Sequence, residues 1–211
     1  MKIAIVDYDI GNVKSILSAF ENQGADVSLT NNKEEILKSD GLVLPGVGAF
    51  SHGMKSLESC GLVEVIKEYV ISDRPFMGIC LGMQMLFEGS EEFGKTTGLG
   101  LISGKVVKLP TKDDQNEKLP HVSWNELNRK NIQWTGTILE DVKEGSDMYF
   151  VHSFVAQPKD NDNILSTTEY SGHNFCSSVK KGNIYGCQFH PEKSGKIGLK
   201  IIRNFIRMCQ K

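Results

Sequence analysis

Cys80 stands between Gly78 and Gly82 in the stretch "FMGICLGMQ", where a short apolar run gives way to residues at helical spacing. A nucleophilic side chain with glycine two residues to either side, on a strand-to-helix bend, is the pattern of a nucleophile elbow. The glycines have a physical reason there, because a Cβ at either position would collide with the neighbouring strand or helix. The start of the following helix offers free backbone N–H groups and the positive end of the helix dipole. Both favour a thiolate and can hold an oxyanion.

A thiolate nucleophile needs a proton carrier, and His190 in "GCQFHPEKS" is the best candidate. Residues two apart in extended backbone project to the same side, so Glu192 can reach the His190 ring and hold its tautomer. The chain order Cys, His, Glu differs from that of an α/β-hydrolase, whose acid falls between nucleophile and histidine. In "LVLPGVGAF", Pro45, Gly46, Val47 and Gly48 end another buried strand. Glycine-rich backbone at that point can turn N–H groups toward a developing negative charge.

A cysteine in apolar surroundings is by default inert core, and Cys60, Cys176, Cys187 and Cys209 keep that reading. Only Cys80 has flanking glycines, a strand-to-helix context and a distant "HPE" to overturn it. Five cysteines without CxxC or His-paired spacing argue against a zinc site and a disulfide framework, so free thiols, no metal and no cofactor are expected. His52 and His173 read as surface or turn residues. From the residues alone, His121 and His152 are structural, and Trp124 beside Asn125 is either a core aromatic or an interface anchor.

These residues must be carried by elements, and the first half of the chain supplies them in alternation. "KIAIVDY" reads as a strand, "GNVKSILSAFENQG" as a helix capped by Asn12 and stopped at Gly24, "DVSLT" as a strand and "NKEEILKSD" as a short helix. "GLVLPG" is a buried strand, "MKSLESCGLVEVIKEYV" a helix that can break at Gly61, and "RPFMGIC" another buried strand leading into the elbow helix. Alternation of this kind predicts a mostly parallel sheet with helices on both faces. The second half consists of short β-rich runs, "GKVVKLP", "DMYFVHSFVA", "NILSTTEY", "FCSSVKKG" and "NIYGCQFHP", which predict an antiparallel extension. Lys181-Gly182-Asn183 is a hairpin turn, "TKDDQNEK" a mobile loop, and "SGKIGLKIIRNFIRMCQK" a helix with Leu199, Ile202, Phe205, Ile206 and Cys209 on one face.

With 211 residues the chain suits a single α/β domain over 1–211. A net charge of -2 gives no electrostatic reason to expect nucleic acid or an acidic membrane. No run has signal or transmembrane character, which predicts a cytoplasmic protein.

Taken together, "DYDIGNVKS", "LPGVGAF", "GICLGMQMLFEGSEE", "LPHVSWNEL", "YFVHSF" and "SVKKGNIYGCQFHPEKSGKIG" resemble the class I, triad-type, flavodoxin-like glutamine amidotransferases. Within them, the glutaminase subunits of imidazole glycerol phosphate synthase are similar over nearly the whole chain. The resemblance implies hydrolysis of L-glutamine to glutamate with Cys80, His190 and Glu192 as triad. It also implies ammonia transfer to a (β/α)8 cyclase in a heterodimer of histidine biosynthesis. By the same resemblance Gly46, Val47 and Gly48 form the oxyanion strand and the Leu81 N–H is a second donor. Gln84, His152 and Ser153 then meet the substrate, and Asn12, His121, Trp124, Asn125, Tyr149 and Lys193 face the cyclase.

Two positions depart from the pattern, since that family usually has glycine where Asp9 and Ser123 stand. They bear on which cyclase is served, a paralogue that amidinates surface sugars being the alternative. A stand-alone γ-glutamyl hydrolase is a third reading.

Overall fold

The first strand, β1 (Lys2–Val6), is apolar on both sides after Lys2, as a strand must be when helices cover both faces of a sheet. The structure, a computed structural model, describes residues 1–111, 119–130 and 132–210. After β1 come α1 (Val13–Glu21), β2 (Asp26–Thr30), α2 (Lys33–Lys38), β3 (Gly41–Leu44), α3 (Phe50–Ser59), α4 (Val63–Ile71), β4 (Phe76–Ile79) and α5 (Leu81–Met85). Then follow β5 (Phe87–Ser90), β6 (Thr96–Thr97), β7 (Ile102–Lys108), β8 (His121–Arg129), β9 (Ser146–His152) and β10 (Phe154–Pro158). The last elements are β11 (Ile164–Tyr170), β12 (His173–Lys181), β13 (Ile184–Cys187) and α6 (Gly195–Met208).

Five strands run parallel in the order β2-β1-β3-β4-β13. Their side chains alternate between two cores. Ile3, Ile5, Val43, Met77 and Ile79 pack with Ile16 and Phe20 of α1 and Ile202 and Phe205 of α6. Ala4, Val6, Leu42, Leu44 and Phe76 pack with Ile36 of α2, Met54 and Leu57 of α3, and Ile66 and Tyr69 of α4. The sheet continues from β13 through β12, β10 and β7 to β5 and β6, and β11, β8 and β9 branch from β12. The predicted α/β class, parallel centre and antiparallel extension are therefore the observed ones.

Several element boundaries differ. The elbow helix is α5 alone, five residues long, because the chain turns at Leu86 and enters β5, which the apolar run concealed. The long helix expected around residues 54–70 is α3 and α4, separated at Gly61 with φ +64°. "DMYFVHSFVA" is two strands divided at Ser153. Asn12 occupies the first cap position of α1 without a side-chain bond, whereas Asn32 caps α2 by accepting from the Glu34 and Glu35 N–H groups at 2.9 and 3.2 Å. The hairpin at Gly182 is present, with φ +58° and Lys181 opposite Ile184. The expected loop "TKDDQNEK" lies, apart from Thr111, outside the described residues. Among the described residues no helix is long and apolar enough to cross a membrane.

Candidate active site

The carboxyl ends of β4, β13 and β3 bring the three segments together. Cys80 follows β4 directly with φ +54° and ψ -109°, a conformation costly for any residue bearing a Cβ and characteristic of an elbow. Its N–H donates to the Cys187 carbonyl at 2.7 Å, which ties the bend to β13. The flanking glycines are required by close approach. A Cβ on Gly78 would lie 2.6 Å from the Gly82 carbonyl oxygen, and one on Gly82 would overlap the Leu44 carbonyl.

His190 lies three residues beyond β13. Its Nδ1 is 2.8 Å from Glu192 Oε1, and both side chains are buried. Backbone fixes the ring's position: the His190 N–H donates to the Tyr149 carbonyl at 2.9 Å, and Ser194 Oγ donates to the His190 carbonyl at 2.7 Å. The Tyr149 N–H closes the loop by donating to Ser194 Oγ at 3.0 Å. Nε2 of His190 has no hydrogen-bond partner among the described residues and is the ring nitrogen left for proton transfer. Burial by itself pushes the imidazole pKa down. The Cys80 sulfur and the Glu192 carboxyl outweigh burial and push it up to about 10. Burial pushes Cys176 and Cys209 up to about 12 and Cys187 well above its ordinary value, so these three thiols are inert.

Cys80 opens into a cavity of about 450 Å³ lined by Val47, Gly48, Ala49, Leu81, Gln84, Glu92, Phe93, Pro120, Val151, His152, Ser153 and Phe154. A larger cleft of about 860 Å³, beside Lys105, Lys130 and Lys159, contains no member of the Cys-His-Glu set, and size does not make it the site.

Val47, Gly48, Leu81, Gln84, His152 and Ser153, all expected near substrate, line the cavity. The Leu81 N–H is occupied, however: it donates to the Gly46 carbonyl at 3.3 Å, so an acceptor stands where an oxyanion donor was expected. Gln84 is also turned inward, its Nε2 donating to the Phe154 carbonyl at 2.9 Å and to Gln188 Oε1 at 3.0 Å. His152 Nδ1 lies 3.0 Å from the Phe154 carbonyl. Burial and the neighbouring His121 push its pKa down to about 3, so the neutral ring donates from Nδ1 and accepts at Nε2 from His121, 3.1 Å away.

The chain matches the family described as "Glutamine amidotransferase class-I" over residues 4–209. The chain belongs to the class-I glutamine amidotransferases. Members named "Imidazole glycerol phosphate synthase subunit HisH" are similar over their full length. One from Legionella pneumophila (strain Lens), HisH 1, is 47% identical over 210 residues, covering 98% of this chain and 99% of its own. One from Aquifex aeolicus (strain VF5) is 44% identical over 212 residues, covering 100% and 99%. Among solved structures, one chain of PurLQS from Thermotoga maritima superposes with a TM-score of 0.72 at 20% identity, covering 98% of this chain and 97% of that one, a likeness of fold.

The residues expected to face a partner lie beside the cavity. On β8, Val122 and Trp124 point outward, 54% and 52% exposed, opposite Val151 and Tyr149 of β9. Trp124 stacks edge-on against Tyr149, and the Lys193 ammonium lies 5.7 Å from the Tyr149 ring. Asn12 is exposed and Asn125 half-buried. His121 is the exception: it is fully buried, stacked on Tyr170, so it cannot itself touch a partner, and its Nε2 lies 2.8 Å from the Asn125 side chain. The two departures from the family pattern differ in cost. Asp9 has φ +64°, which explains why glycine is usual there, while Ser123 is half-buried mid-strand with no such constraint.

Sequence reasoning missed Glu92, the one acidic side chain lining the cavity among the described residues, whose carboxylate accepts from the Phe50 N–H at 2.8 Å at the start of α3. It also missed Gln188. Only its place two residues before His190, which puts it on the same side of an extended segment, could have drawn attention to it.

Proposed function

We propose that this chain is the glutaminase subunit of imidazole glycerol phosphate synthase, one domain over its whole length, acting in the cytoplasm in a heterodimer with a (β/α)8 cyclase. The observation that carries the proposal is the buried His190–Glu192 pair interacting with Cys80, which itself opens into the cavity, in a chain 44 to 47% identical to full-length HisH relatives. The Cys80 thiolate attacks the side-chain amide carbon of glutamine, and the His190 imidazolium protonates the departing nitrogen, which leaves as ammonia. Water, deprotonated by His190, then attacks the thioester and releases glutamate. Glu192 keeps the imidazole oriented and supports its charge. Glu92, the one acid lining the cavity among the described residues, is suited to the substrate's α-ammonium group.

In neutral water ammonia becomes ammonium, which is not nucleophilic, so the product must pass directly to a cyclase site. The exposed Val122 and Trp124 adjoin the cavity through Val151, which supports docking on that side. The resting contact between the Leu81 N–H and the Gly46 carbonyl supports an obligate partnership. While that carbonyl faces the oxyanion position, the tetrahedral intermediate lacks a donor. Rotation of the Gly46–Val47 peptide on cyclase binding would replace the carbonyl with an N–H. The same contact counts against a stand-alone hydrolase.

Complementation tests the pathway. The gene is expected to restore growth without histidine to a strain lacking its own glutaminase subunit, when supplied with the cognate cyclase. Failure with a well-folded protein rejects the histidine role and leaves the sugar-amidinating cyclase as partner.

A further inference from the structure

Gln188 is fully buried, and its Nε2 lies 3.8 Å from the Cys80 sulfur, within the range of an N–H···S hydrogen bond. The orientation of its amide is dictated from outside. The Phe154 carbonyl can only accept, so the Gln84 atom 2.9 Å from it must be nitrogen. The second hydrogen of that nitrogen points to Gln188 at 3.0 Å, so the Gln188 atom there must be oxygen. Its nitrogen then faces the sulfur.

We propose that Gln188 is a hydrogen-bond donor to the Cys80 thiolate, and that Gln84 is a positioning residue that holds the Gln188 amide in the donating orientation. The proposal rests on Cys80 being the nucleophile and adds a second support for its charge beside His190. Both Gln84 hydrogens are spent inward, which leaves only Gln84 Oε1 to face the cavity. Apolar burial next to a thiolate would otherwise disfavour the anion. A buried amide held by the bond from Gln84, itself anchored on the Phe154 carbonyl, supplies a preorganised dipole at no cost in reorganisation.

The test is alkylation of Cys80 by iodoacetamide in the full-length chain, followed by mass spectrometry of the Cys80 peptide from about pH 5 to about pH 10. Gln188→Met and Gln188→Glu are expected to slow alkylation at neutral pH by about tenfold, with the rate recovered at high pH, so that the profile shifts upward. Gln84→Met should shift it the same way by less, because Gln188 keeps its nitrogen but loses its lock. Circular dichroism and melting curves report whether each variant folds. If Gln188→Met does not, Gln188→Glu decides, since it preserves volume and the bond from Gln84. Folded Gln188 variants with the wild-type profile overturn the proposal, even if turnover falls, because a filler of the core would not move a pH profile. Error in the underlying assignment reads out separately: wild-type Cys80 would then alkylate no faster than buried Cys187, and Cys80→Ala would retain glutaminase activity.

Discussion

At the scale of single residues, the electrostatics of His190 hold the most information about the site. Its pKa rises to about 10 although burial opposes the charge, so the opposing support must come from Cys80 and Glu192. Cys80→Ala removes one of the two supports, leaving desolvation less opposed. The His190 ring is therefore expected to titrate at lower pH in that variant, as read by NMR of its ring protons, and an unchanged midpoint would mean that sulfur and imidazole do not interact. The Cys80 bend and the His190–Glu192 contact were legible in the sequence because glycine spacing and the two-residue alternation of extended backbone are local signals. Gln188 and Glu92 were not, because their roles depend on a sulfur and a helix start 108 and 42 positions away. The reversal of Leu81 from free donor to partner of the Gly46 carbonyl was hidden too, since one peptide rotation separates the two states and no side chain records which is adopted.

At the scale of elements, the elbow and the strand beside it set the geometry. Gly82→Ala places a methyl group against the Leu44 carbonyl, backbone that cannot yield without parting β3 from α5. The expected loss is about 3 kcal/mol in urea unfolding, and near-neutrality would contradict the close packing. Tyr8 holds the other side of the same junction, its buried hydroxyl donating to the Pro45 carbonyl at 2.6 Å. Tyr8→Phe frees that peptide plane beside Gly46, so glutaminase activity without cyclase is expected to rise, measured as glutamate formed by the isolated chain. No rise would separate Tyr8 from the resting state. The central strands were readable because each is apolar on both faces and bounded by turn residues. β8 was overlooked because its inward-facing alternate positions include the polar His121, Ser123 and Asn125 while Val122 and Trp124 face outward, the inverse of the pattern that marks a half-buried strand.

At the scale of the whole molecule, the exposed apolar residues near the cavity mouth include Val47, Phe93, Val122 and Trp124, and Tyr149 and Lys193 pack beside Trp124. An exposed tryptophan braced by a tyrosine is the form of an interface anchor. Trp124→Ala is expected to weaken cyclase binding by about 2 kcal/mol in titration calorimetry while leaving Cys80 alkylation in the free chain unchanged. Unaltered affinity would move the docking face elsewhere. The same surface is tied to His190, whose N–H donates to the Tyr149 carbonyl.

The most direct test of the account is ammonia release from glutamine by the chain alone, by its complex with cyclase and the cyclase's nucleotide ligand, and by the complex bearing Cys80→Ala. The account predicts almost none alone, a rise of about a hundredfold or more in the liganded complex, and abolition by the substitution. Equal rates with and without partner would contradict the resting block at Leu81, and turnover surviving Cys80→Ala would remove the nucleophile on which the mechanism stands.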